Sequence, residues 1–402
     1  MDTAKRSIPI AKPTVTDGVI ELMEEALNSG WVSMGPLTQR FEQLVCDYTG
    51  AKHAVAMNSC TSAIHIAMLA HGIGPGDEVL CPSYSFIATA NGIRHAGAEP
   101  RFVDIDPETL NMDPGKAEEL IRDDYTPELR HRKSGRTLKG ILLVHQVGLP
   151  ADIDAFAELA RKYNLVLMED NACGLGSTYK GQPLGCSGYT SMLSFHPRKV
   201  ITSGEGGMLL TDNEAIAEKA RVLRAHGMSI SDLVRHNASS TLYESYEVVG
   251  YNYRLTDLQA ALGIRQMEHI EDFIQRRCAI AARYNEAFSG FEEIALLAPP
   301  DYVTRWNYQS YPIRLLNGNR EIRDRFMQTL HEAGISTRRG IPPIHQEPVY
   351  AQNLTLPNTK TVSETSLFLP IYPTMSDDDV DYVIEHARKA IAQWSSQRSA
   401  AR

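Results

Sequence analysis

No run of about 18 apolar residues occurs anywhere in the chain, so nothing in it reads as a membrane-spanning helix. Positive charge is also in short supply. Forty Lys and Arg stand against 49 Asp and Glu, a formal net charge of −9. Duplex binding needs a clustered basic surface, and here the cations are scattered, so nucleic acid is not the expected partner. The acidic run Asp377-Asp378-Asp379 reads as a solvated helix start. Cysteine is sparse: Cys46, Cys60, Cys81, Cys173, Cys186 and Cys278 contain no CxxC pair and no disulfide-scaffold density. Reduced thiols of a cytoplasmic enzyme are expected, with no metal site. Met1 to Lys12 lacks a long apolar region, so no signal peptide is expected. Internal repeats and low-complexity tracts are missing too.

What is present is a chain of 402 residues, 43% of them hydrophobic. That is enough for a sizeable core and roughly two domains. Short apolar runs alternate with helical patterns over the first two-thirds. His53–Met57, Glu78–Cys81, Pro100–Val103, Gly140–Val144, Leu165–Met168, Met192–Phe195 and Met208–Leu210 read as strands. Thr61–Ala70, Phe86–His95 and Ile153–Tyr163 read as helices between them. Such spacing indicates βαβ units and a mainly parallel sheet, and the continuous apolar character of the strands fits a sheet covered on both faces. A long helical pattern follows from about Thr256 to Ser289, with Leu258, Leu262, Met267, Ile270 and Ile274 as its buried stripe. A strand (Gln309–Arg314), a helix (Arg320–Ala333), a Pro-rich loop (Ile341–Pro348) and a last helix from Asp377 look like a smaller α+β domain. Lys133–Arg136 reads as a loop. The expected division is residues 1–255 for a large α/β domain, then 256–402 for a linking helix and small C-terminal domain.

Four segments carry candidate chemistry. In Ser194-Phe195-His196-Pro197-Arg198-Lys199, followed by Gly204-Glu205-Gly206-Gly207, a lysine follows a strand end. A confined lysine can have a lowered pKa and form a Schiff base, and the glycines would let backbone approach a ligand. A surface lysine before a turn is the plainer alternative. Asp170 sits just past an apolar strand, where α/β proteins place ligand groups. Facing a pyridine nitrogen, it would keep that nitrogen protonated; otherwise it is a turn cap. Glu169 beside it points to the other face and is structural. Asn58-Ser59-Cys60-Thr61-Ser62-Ala63 lies between strand and helix, so the Cys60 and Thr61 amides could hold a phosphate, or Ser could simply cap the helix. Pro82-Ser83-Tyr84-Ser85-Phe86 offers an aromatic that could stack on a flat ring or belong to the core.

Together these pieces resemble the DegT/DnrJ/EryC1/StrS family of sugar aminotransferases. Further matching segments are Gly30-Trp31-Val32-Ser33-Met34-Gly35-Pro36, Gly250-Tyr251-Asn252-Tyr253-Arg254-Leu255, Gln259-Ala260-Ala261, Gln309-Ser310-Tyr311, Ile344-His345 and Leu369-Pro370. The resemblance spans nearly the whole chain in the expected order. It implies the three-layer α/β/α architecture of fold-type I pyridoxal 5′-phosphate (PLP) transferases. It also implies roles. Lys199 would hold PLP and shuttle the proton, Asp170 would bind the ring nitrogen, and Phe86 would stack on the ring. Cys60, Thr61 and Ser194 would bind phosphate, and Asn252 would reach the phosphate of a neighbouring subunit's cofactor. His196 and Trp31 would lie near the substrate. The expected partners are a keto-sugar, nucleotide-linked, and L-glutamate or glutamine as amino donor, in a homodimer with shared active sites. Where the family often has Gln or His near the cofactor's phenolic oxygen, this chain has Cys173, a weak hydrogen-bonding group. Asn171 replaces a commonly small residue.

Three other readings compete. Gly174-Leu175-Gly176 follows a strand, as in a dinucleotide-binding oxidoreductase, but Tyr179 occupies the third glycine position. Sugar dehydratases of the same family carry His where Lys199 stands. A PLP-binding regulator would need a DNA-binding module, and none is appended.

Overall fold

The computed structural model describes residues 6–230, 235–236, 239 and 241–401, without the side chains of 396–401. The first residues of the Met1–Lys12 stretch therefore lie outside the described residues. Among those described, seven strands form the main sheet. In spatial order they are His53–Met57, Gly207–Thr211, Thr190–Ser194, Val166–Asp170, Thr137–Val144, Asp77–Pro82 and Glu99–Val103. Gly207–Thr211 runs antiparallel to both its neighbours, and the other pairings are parallel. Every strand expected from sequence in this region is there, with ends displaced by at most three residues.

Helices cover both faces, so the strands are apolar on both sides. The helix Cys60–Ala70 is buried almost all round, as its composition CTSAIHIAMLA requires. It begins where Ser59 accepts a hydrogen bond from the Ser62 amide at 3.1 Å. Gly207 makes this possible. A Cβ there would collide with the backbone of Ser59 and Cys60, so only glycine lets the strand pass the helix start. At Gly207 the close approach is thus backbone to backbone, while Gly206 lines the cavity described below.

The helical run beyond Thr256 is two helices, Asp257–Glu268 and Ile270–Phe288, with His269 at φ −113°, ψ 7° between them. Ala260, Ala261, Ile264, Met267, Ile270, Phe273 and Ile274 join the core around Phe41. Ile280, Ala281, Tyr284 and Phe288 join a second core with Tyr311, Ile313 and Leu369. The second helix thus bridges both cores, the change falling between Ile274 and Ile280. The buried stripe also differs from the expected one. Met267, Ile270 and Ile274 are buried, but Leu258 and Leu262 are only half-buried. The small residues set the phase, because Gly263 packs directly on the Phe41 ring.

The second core is centred on a four-stranded sheet in the order Ile294–Leu296, Tyr311–Leu315, Ser366–Leu369, Arg338–Arg339. The strand expected at Gln309–Arg314 starts at Tyr311, because Gln309 turns away to donate to the Arg198 carbonyl at 2.9 Å. The final helix starts at Asp377 as expected, but its acidic run is not merely solvated. Asp377 pairs with Arg276 at 2.8 Å and Arg283 at 3.0 Å, and Asp379 with Arg6 at 2.6 Å.

Sequence reading missed the helices Val19–Ser29, Pro36–Thr49, Pro114–Asp124, Glu214–Arg224 and Pro357–Thr365. The second of these has an unusual start. Its first amides are satisfied from far along the chain by buried Asp257, which accepts from Gly35 N at 2.8 Å, Leu37 N at 3.0 Å and Thr38 N at 2.9 Å. The Thr38 hydroxyl adds a fourth bond at 2.7 Å.

Candidate active site

Parallel strands deliver their C-terminal ends to one edge of the sheet, and ligands bind outside that edge. Val144, Asp170 and Ser194 all sit at such ends and all line one cavity of about 410 Å³. Its volume lies within the usual range for ligand sites, roughly 300–1,000 Å³. The start of the Cys60–Ala70 helix and the Gly206 turn close one side. Arg338 and Arg339, from the small sheet, form part of the opposite rim.

Of the residues singled out from sequence, Cys60, Thr61, Phe86, Asp170, Cys173, Ser194, His196 and Lys199 line this cavity together. Trp31 and Asn252 do not. Trp31 stands beside His236, ring centroids 5.3 Å apart, and Asn252 is exposed. Phe86 is 62% exposed, an aromatic face with no core role. Glu169 does point away from the cavity: it accepts from His145 Nε2 at 2.9 Å and from the Ser187 hydroxyl.

Lys199 Nζ lies 3.1 Å from Cys173 Sγ. Burial alone pushes the ammonium toward the neutral amine, yet Cys173, Cys60 and Asp170 together hold its pKa above the ordinary lysine value. The lowered value expected from confinement alone is therefore not found, because the anionic surroundings outweigh desolvation. Burial pushes the Cys60 thiol itself well up. Asp170 is 5% exposed. Burial raises its pKa, while the Thr89 hydrogen bond and Lys199 pull it back. Its Oδ2 accepts from Thr89 Oγ1 at 2.7 Å and its Oδ1 from the Ala172 amide at 3.2 Å. His196 accepts at Nδ1 from the Arg198 amide at 3.2 Å, and burial lowers its pKa. It is a neutral imidazole facing the cavity.

These donors fit PLP. A buried amine can bind an aldehyde, and a buried carboxylate can hold a protonated ring nitrogen. The Ser194 hydroxyl and the helix start at Cys60 and Thr61 can take a dianionic phosphate. The dinucleotide alternative finds no support in the same region. Gly174 packs on Asn171 and Leu184, and Gly176 on Ile274, so these glycines serve packing within the protein. Sequence reading missed Ser85, Thr89, Gln146, Arg338 and Arg339 as cavity residues. Ser85 precedes the Ala88–His95 helix that carries Thr89, so no helical spacing marks the pair. Nothing in the local pattern marks the two arginines.

Fold and site together define a fold-type I PLP-dependent transferase. The chain belongs to the DegT/DnrJ/EryC1/StrS aminotransferase family, whose model matches residues 13–388. It is 38% identical over 393 residues to the spore coat polysaccharide biosynthesis protein SpsC of Bacillus subtilis, covering 96% of this chain and 97% of SpsC. Among solved structures it is similar to the aminotransferase TlmJ from Streptoalloteichus hindustanus, with 30% identity, TM-score 0.85, and 97% and 100% of the two chains covered. It is also similar to the sugar aminotransferase CalS13 from Micromonospora echinospora, with 26% identity, TM-score 0.83, and 95% and 99% covered. The chain is a PLP-dependent sugar aminotransferase.

Proposed function

We propose that this chain transfers the amino group of L-glutamate or glutamine to a nucleotide-linked keto-sugar. The observation that carries the reading is the placement of half-buried Lys199 and buried Asp170 in one cavity whose lining includes Arg198, Arg338 and Arg339. Acid and amine together supply the transamination chemistry. Exposed guanidinium groups suit an acceptor with a negatively charged handle.

PLP, when bound, supplies an electron sink for the carbon that loses its proton. The chain's own residues do the rest. Lys199 binds the cofactor and carries the proton to and from the substrate carbon. Asp170 holds the ring nitrogen, Phe86 covers the ring, and Cys60, Thr61 and Ser194 hold the phosphate. His196 lies against the substrate. Asn252, exposed on its own chain, reaches the cofactor phosphate of a second copy, and Trp31 lies near the substrate. The Lys at position 199, in place of the dehydratase His, favours amination over dehydration.

The test is a panel of nucleotide keto-sugars incubated with L-glutamate, the aminated product being identified by mass spectrometry. A free keto-cyclitol aminated in preference to every nucleotide sugar would overturn the acceptor assignment. Borohydride reduction and peptide mapping should find the pyridoxyl group on Lys199, and Lys199→Ala should lose several orders of magnitude in turnover, the scale for a catalytic base or nucleophile.

A further inference from the structure

Asp170 does not stand alone in its wall. Thr89 Oγ1 lies 2.7 Å from Asp170 Oδ2 and 2.8 Å from Ser85 Oγ. All three side chains are buried, Ser85 at 3% and Thr89 at 1% exposure. A hydroxyl has one hydrogen to give. An ionised carboxylate can only accept, so Thr89 gives its hydrogen to Asp170, and Ser85 must then give its own to Thr89. The distance to Asp170 is that of a charge-assisted bond. The order Ser85 to Thr89 to Asp170 is therefore directional and is complete only while Asp170 carries its charge.

The support is rigid. Thr89 lies near the start of the helix Ala88–His95, which packs Gly92 against Ile64. The segment before it is pinned by Ser83 to His345 at 2.6 Å and by Tyr84 to Ser366 at 3.1 Å. The titratable groups acting on Asp170 are Lys199 and His145, with the thiols of Cys60 and Cys81 coupled to it. Neither thiol is charged near neutrality, since burial pushes both up. The Thr89 bond is thus the main local opponent of desolvation, ahead of Lys199 and the Ala172 amide.

We propose that Thr89, oriented by Ser85, is a positioning residue that keeps Asp170 ionised and in one rotamer, so that the cofactor's ring nitrogen stays protonated. This rests on the assignment of Asp170 to that nitrogen. Without the Thr89 bond, Asp170 becomes more basic and draws the ring proton toward itself. With the cofactor bound, the ring would then withdraw fewer electrons and the Lys199 nitrogen would hold its proton more tightly.

The experiment titrates the colour of the holoenzyme against pH and measures cofactor affinity by dialysis and fluorescence, in Thr89→Val, Thr89→Ser, Ser85→Ala and Asp170→Asn. Thr89→Val should move the titration midpoint upward, weaken cofactor binding about tenfold and slow the glutamate half-reaction by about the same factor, the scale of one hydrogen bond to a charged group. Thr89→Ser should restore most of each value, and Ser85→Ala should shift them less, in the same direction. Thermal unfolding checks that each variant is folded. A wild-type midpoint in Thr89→Val, or a Thr89→Ser variant as impaired as Thr89→Val, would overturn the proposal while leaving Asp170 in place. An unchanged midpoint in Asp170→Asn would instead overturn the assignment of Asp170 itself.

Discussion

The side-chain amine of Lys199 rests 3.1 Å from the sulfur of Cys173, a residue type with little hydrogen-bonding power. Together with Asp170, this contact keeps the cofactor-free lysine protonated, above the ordinary lysine value. Only the neutral amine captures an aldehyde, so capture of PLP by the cofactor-free protein should quicken as pH rises. Cys173→Ala removes a contact that holds the pKa up. Its pH profile for capture should therefore move down, raising the rate at fixed neutral pH up to about tenfold for each pH unit moved. Steady-state turnover with cofactor bound should change only modestly. Stopped-flow absorbance against pH is the measurement. A profile displaced upward would show that the sulfur does not stabilise the ammonium.

Asp170→Asn should fold but lose most of its activity. An amide cannot hold a protonated ring nitrogen as a carboxylate can. Loss of a preorganised charge of this kind costs about 10²–10³ in rate, judged from other buried electrostatic groups. Single-turnover kinetics at saturating cofactor checks this. Near-normal turnover would remove Asp170 from the chemistry.

Asn252 is exposed and outside its own chain's cavity. If it serves a second copy's cofactor, inactive Lys199→Ala subunits mixed with Asn252→Ala subunits should regain activity above either parent. A mixed dimer then holds one site with both residues intact and one with both lesions. Subunit exchange confirmed by native mass spectrometry, with no recovery of activity, would place Asn252 in a purely structural role.

Asp257→Ala should destabilise the fold by about 2–4 kcal/mol, because it strands buried donors at a helix start and removes a favourable charge there. The four bonds to Gly35, Leu37 and Thr38 are the basis. Asp257→Asn should cost less, since the amide oxygen still accepts. Equal losses from chemical denaturation of the two variants would mean that the charge contributes nothing.

The chain order of chemistry was legible in the residues alone. Lys199, Asp170 and the Ser59–Thr61 turn are each marked by a strand that ends in a polar or glycine-rich segment, and such ends are local features. The alternation of short apolar strands with helices likewise reflects local periodicity, which is why the parallel sheet could be read directly. What tertiary structure decided was whatever depends on distant partners. The Thr256–Ser289 run breaks at His269, and its second helix passes from one core to another between Ile274 and Ile280. Lys199 is held charged because Asp170 and Cys173 surround it, although burial acts the other way. Arg338 and Arg339 reach the cavity only because the Ser366–Leu369 strand carries them there. Periodicity fixes which face of an element is apolar, but only packing brings together charges and rims from opposite ends of the chain.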